Sequence, residues 1–146
     1  MDVIGLIRAA REKRDFSGLL GLIPYAGFIG MDCLHLGREL VFVLPANEGN
    51  VGNPTLPALH GGVIGGFMEN AAILHCLGHL EVAALPKVVD FSLDYLRPGR
   101  FQETYAACEV VRQGKKVANV SVTAWQTTRT EPIANARTHL LLQEPD

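Results

Sequence analysis

The stretch His60-Gly61-Gly62-Val63-Ile64-Gly65-Gly66-Phe67-Met68-Glu69-Asn70-Ala71-Ala72-Ile73-Leu74-His75-Cys76-Leu77 decides the reading of this chain. From Gly61 to about Leu77 there is no proline, and Val63, Phe67, Ala71 and Leu74 recur at i, i+4, i+8 and i+11, the spacing of a single buried helix. The helix opens on glycines, which let another group come close to the backbone. Its first-turn N–H groups have no partner within the helix and carry the positive end of the dipole, so they suit an anion or a polarised carbonyl oxygen. Glu69 lies two turns in, among Phe67, Met68, Ala71, Ala72, Ile73 and Leu74. A carboxylate in such a setting is costly to bury unless it is paired or used. Residues 61–77 carry almost no other charge, so the helix has no evident solvent face on which Glu69 would be idle.

Outward from this helix the periodicity changes. On the N-terminal side, Ile4, Leu6, Ile7 and Ala10 with Arg8, Arg11, Lys13 and Arg14 predict a short amphipathic helix with a basic face, part of a helical extension over residues 1–24. Two extended segments follow, about 27–36 and 38–44, joined at Gly37-Arg38, and Asn47 to Pro54 reads as a loop. On the C-terminal side the period is two. Val89, Phe91, Leu93 and Tyr95 face one way and Val88, Asp90, Ser92 and Asp94 the other. A second strand runs to about Arg112 and turns at Gln113-Gly114. In the third, Ala118, Val120, Val122 and Ala124 alternate with polar residues, and Ala134 to Leu142 form the last. Two strands, one long apolar helix and four more strands describe an α+β fold in which an antiparallel sheet of about six strands covers one helix. At 146 residues this is one domain, 1–146.

Composition narrows the function. With 48% hydrophobic and 19% charged residues, no apolar run reaches the roughly 18 residues of a membrane span. Thirteen basic against 15 acidic residues give a formal net charge of −2, which argues against nucleic-acid binding. Cys33, Cys76 and Cys108 are odd in number and form no Cys-x-x-Cys pair, and the start of the chain lacks a secretory pattern, so a reducing cytoplasm is the expected setting. His75 and His79 share a helical face, but no further ligand accompanies them, so no metal site is expected. Gly61 and Glu69 are eight residues apart, about 12 Å of helix rise, too far for both to act on one carbonyl. If both act, a second copy of the helix supplies one of them, and oligomerisation is part of the mechanism.

The run Leu59-His60-Gly61-Gly62-Val63 with an acid nine residues after the histidine resembles the motif of hot-dog-fold acyl-CoA thioesterases, closest to the phenylacetate-degradation and 4-hydroxybenzoyl-CoA types. The segments Val89 to Pro98 and Val110 to Ala118 resemble that family's central strands and hairpin, and the likeness covers roughly residues 25–143. The resemblance implies a hot-dog fold and a homodimer or homotetramer that hydrolyses an acyl- or aryl-CoA with no cofactor beyond the coenzyme A of its substrate. It implies Glu69 as base or nucleophile, the Gly61 N–H as oxyanion donor, and a structural or supporting role for His60. Where the family places Asn or Gln, six residues before the histidine, this chain has Pro54, which leaves Asn53 as the candidate for that role; Val88 and Ile73 stand where some members have Ser or Thr. Arg97, Arg100, Arg112 and Lys115, at strand ends and a hairpin, are candidates for the coenzyme A phosphates. Rival expectations are an enoyl-thioester hydratase or dehydratase using His60 with Glu69, and a non-catalytic acyl-CoA binder.

Overall fold

The helix read from residues 61–77 is present as α3 in the computed structural model, which describes residues 2–82 and 84–142. It follows α1 (Val3–Lys13), a 3-10 turn over Ser17–Leu22 and α2 (Pro24–Ile29), and itself spans Gly61–His79. Phe67, Met68, Ala71, Ala72, Leu74, Cys76 and Leu77 are all at 0% exposure. A helix apolar around most of its circumference belongs in an interior, and here the sheet wraps it. The strands are β1 (Asp32–Leu36), β2 (Glu39–Leu44), β3 (Val51–Asn53), β4 (Ala58–Leu59), β5 (Lys87–Tyr95), β6 (Thr104–Gln113), β7 (Val117–Trp125) and β8 (Ala134–Leu141). Six of them form one antiparallel sheet in the order β1-β2-β6-β7-β8-β5, and β3 and β4 make a separate hairpin. This is the hot-dog arrangement. Ala118, Val120, Val122 and Ala124 on β7, each at 0% exposure, face the helix as their alternation predicts.

Three local expectations are corrected. Residues 27–29 are helical, not extended: Pro24 starts α2 at a position where its missing N–H costs nothing, and Gly30 ends it with φ of +79°. The helical part of the N-terminal segment thus runs to Ile29, and the first strand starts only at Asp32. The alternation of β5 is broken by a register shift between Val88 and Asp90. The extra residue turns Val89 out to 62% exposure, while Val88 joins Phe91 and Leu93 against the core. The Asn47–Pro54 loop contains a 3-10 turn over Glu48–Asn50 before β3.

The N-terminal helices hold α3 from outside. Arg11 of α1 donates from Nε and Nη2 to the Leu77 carbonyl, at 3.2 and 2.9 Å, and from Nη2 to the Leu80 carbonyl, satisfying the end of α3 with a cation where the dipole is negative. Ala26 and Ile29 of α2 are fully buried, and buried Asn50 donates from Nδ2 to the Ile29 carbonyl at 2.8 Å.

Candidate active site

The start of α3 is built around His60. Its backbone N–H donates to the Asn50 carbonyl at 2.8 Å, which ties the β3–β4 hairpin to the helix entry. Its Nδ1 accepts from the Gly62 N–H at 2.9 Å, so the imidazole is the N-cap and carries its proton on Nε2. The second glycine of the motif is thereby explained. A Cβ on Gly62 would lie 2.9 Å from the ring. Val63 and Ile64 donate their N–H groups to the His60 carbonyl at 3.0 and 3.2 Å. Of the first four donors of α3, only the Gly61 N–H is engaged by no described residue. The Gly61 carbonyl, in turn, accepts from the Tyr95 hydroxyl of β5 at 2.7 Å.

Glu69, two turns further along the same helix, is half-buried. It borders an open cleft of about 550 Å³ whose floor is Gly62, Gly65, Gly66, Glu69 and Asn70, with Tyr25 on one side and Phe91 and Leu93 on the other. These α3 positions fall at i, i+3, i+4, i+7 and i+8, so along the two turns that lead to the carboxylate three glycines leave the helix without side chains and let Tyr25 and Leu93 approach its backbone. Among the described residues Glu69 is the one charged side chain on the cleft wall. Gly61 borders a second cleft of about 300 Å³, with Tyr95, Arg97 and Pro98. Within one chain, then, Gly61 and Glu69 open onto separate clefts, and β5 contributes to both.

The other sequence-derived candidates fall elsewhere. Asn53 lies on β3, exposed, and its Oδ1 accepts from the Thr55 N–H at 3.0 Å, which commits the side chain to the hairpin turn. It borders neither cleft. Arg97 and Arg100 come together around a depression of about 230 Å³ beside the Gly61 cleft, where Arg97 Nη1 donates to the Pro132 carbonyl at 2.8 Å. Arg112 and Lys115 are at the opposite end of the sheet, since Gln113 pairs with Ala118 there while Tyr105 pairs with Trp125 near Arg100. Among the described residues no group of three His, Cys, Asp or Glu side chains is placed to hold a metal ion. His75 and His79 stack with ring centroids 4.0 Å apart, and burial holds the His75 ring down to about 4, so it is neutral. Burial pushes the Cys33 and Cys76 thiols up to about 12, and Cys108 well above its ordinary value, so none is a thiolate nucleophile.

Sequence reasoning does not single out Tyr25 or the second glycine pair, and it takes Tyr95 as an interface or core residue rather than a group of the site. The repeat of Gly-Gly at 61–62 and 65–66 is the available signal for the glycines.

Comparison with known proteins identifies the family. Residues 56–133 match the thioesterase superfamily. A medium/long-chain acyl-CoA thioesterase, YigI, of Escherichia coli K12 is 31% identical over 110 residues, covering 66% of this chain and 71% of that protein. A crystal structure of a protein from Chromobacterium violaceum is 42% identical, with a TM-score of 0.77 over 96% of this chain and 98% of that one. Thioesterase superfamily member 2 from Mus musculus shares the fold at 19% identity, with a TM-score of 0.70 over 88% of this chain and 95% of that one. The chain belongs to the thioesterase superfamily and is a thioester hydrolase.

Proposed function

We propose that the protein hydrolyses an acyl-CoA thioester in the cytoplasm as a homodimer or homotetramer, with Glu69 as general base or nucleophile and the Gly61 N–H of a second copy as oxyanion donor. The observation that carries this reading is Glu69 itself, among the described residues the lone charged group on a cleft floored by helix glycines. With Glu69 as base, it takes a proton from water, the new C–O bond forms, and the developing oxyanion is held by the unengaged amide at the helix end. The C–S bond then breaks and the proton passes to the leaving thiolate. The acyl-CoA class is supported by the E. coli relative, whose substrate is of that kind.

The shared site is supported by the two clefts. Phe91 and Leu93 wall the Glu69 cleft, Tyr95 walls the Gly61 cleft, and all three lie on β5. That strand is nine residues long at the edge of the sheet, with one row of backbone groups unpaired. Antiparallel addition of a second β5 would set the Gly61 cleft of one copy against the Glu69 cleft of the other, twice per dimer. Arg97 and Arg100, beside the Gly61 cleft, are the better placed cations for the coenzyme A phosphates.

A panel of aryl and aliphatic CoA thioesters, with thiol release as the readout, tests the proposal. Glu69→Gln is expected to lose at least about a hundredfold in kcat, the scale of a removed general base. Equal turnover by the two proteins overturns the assignment of Glu69.

A further inference from the structure

We infer that the Tyr25 hydroxyl is a third working group of the Glu69 cleft, holding the water that attacks the thioester. The inference rests on the reading of Glu69 as general base. Tyr25 comes from α2, outside the residues matched by the family, and reaches across to α3 at Gly66. A Cβ on Gly66 would lie 2.5 Å from the Tyr25 ring and 3.0 Å from its hydroxyl, so the phenol rests directly on the bare backbone there. Gly66 and Glu69 are three residues apart and share a helix face, with Cβ positions roughly 5–6 Å apart. The hydroxyl and the Glu69 carboxylate therefore border one cleft about a helical turn apart.

Chemistry and support both favour this role. The polar side chains bordering the cleft are Tyr25, Glu69 and Asn70. Asn70 is 7% exposed and Tyr25 39%. The Tyr95 hydroxyl is already given to the Gly61 carbonyl, whereas no described residue engages the Tyr25 hydroxyl. Asn53, the other candidate for orienting water, is spent on its own turn. A phenol both donates and accepts, so it can accept one hydrogen of a water whose other hydrogen goes to Glu69, leaving the oxygen lone pair aimed at the carbonyl carbon. The proton still travels from water to Glu69 to thiolate, and Tyr25 ends each cycle unchanged. The arm that holds it is fixed, with Ala26 and Ile29 fully buried and the end of α2 tied by Asn50.

Tyr25→Phe removes the hydroxyl and keeps the ring that sits on Gly66. Steady-state turnover of the best CoA thioester of the panel is expected to fall about ten- to a hundredfold in kcat, with KM within about twofold and an unchanged melting temperature. Gly66→Ala, which keeps the hydroxyl but displaces it, is expected to lose kcat to a similar extent. A Tyr25→Phe protein whose kcat stays within twofold of wild type overturns the inference, as does one in which only KM rises, since Tyr25 would then be an apolar wall. Glu69→Gln, assayed alongside, separates the two claims. If it loses at least about a hundredfold while Tyr25→Phe keeps kcat within twofold of wild type, the tyrosine role alone falls; if it is fully active, the reading of the cleft falls.

Discussion

His75 sits near the end of α3 with its Nδ1 buried and unpartnered among the described residues, against the stacked ring of His79. Burial and the neighbouring His79 disfavour its charged form, while Glu39 only partly offsets them, so its pKa falls from 6.5 to about 4. The unfolded chain takes up this proton below about 6.5 and the folded one only near 4, so the contribution to stability is complete above 6.5 and is lost as the pH falls from there toward 4. The full span corresponds to about 3 kcal/mol. Thermal unfolding of His75→Leu followed from pH 4 to pH 7 should show a flatter profile than wild type over that window. At this scale the sequence was unevenly legible. Glu69 stood out because an acid in a helix with almost no other charge, and so no evident solvent face, is costly to place unless it is paired or used. Tyr25 did not, because its role depends on a contact 41 positions away with a glycine that, read alone, only suggests close packing.

Among the elements, α3 was the most readable, since its apolar residues satisfy the helical period over five turns and its first residue is marked by a cap and glycines. Its buried side chains carry a corresponding share of the stability. Phe67→Ala, at a position of 0% exposure, is expected to destabilise the protein by about 3–5 kcal/mol, measured as a shift in the denaturant midpoint with little change in slope. Residues 27–31 were misread because Phe28, Ile29 and Met31 look like a strand, and the turn chemistry of Pro24 and Gly30 was given too little weight. The bulge at Val89 was not legible at all. Alternating apolar residues run unbroken through it, and only pairing with β8 shows which side each one takes.

For the whole molecule, the fold class could be read from element order, because two strands, a helix and four strands with short turns leave few ways to cover one apolar helix. The division of the site could be read only as far as helix arithmetic allowed: Gly61 and Glu69 were too far apart, but their opening onto separate clefts required coordinates. That division makes a prediction about assemblies. Gly61→Pro deletes the N–H at a first-turn position where proline is well tolerated, and Glu69→Gln deletes the base. Each protein alone should be nearly inactive. After unfolding and refolding together in equal amounts, random pairing in dimers would regenerate about a quarter of the wild-type sites, because half the dimers carry one intact pair. No recovery, in a mixture shown by sedimentation to contain dimers, would place both groups of each site in one chain.

Strand β8 is the last of the described strands, yet it lies between β7 and β5 inside the sheet. Among the described residues of its own chain β5 has no other neighbour, so it waits some forty positions for the segment Ala134–Leu141 before it can pair. On a ribosome this means that α3 and the strand bordering both clefts emerge well before the surface that covers them. The nascent chain can therefore lay β2, β6 and β7 on α3 while β5 still waits, and the edge that borders both clefts is completed by the last strand made rather than the first.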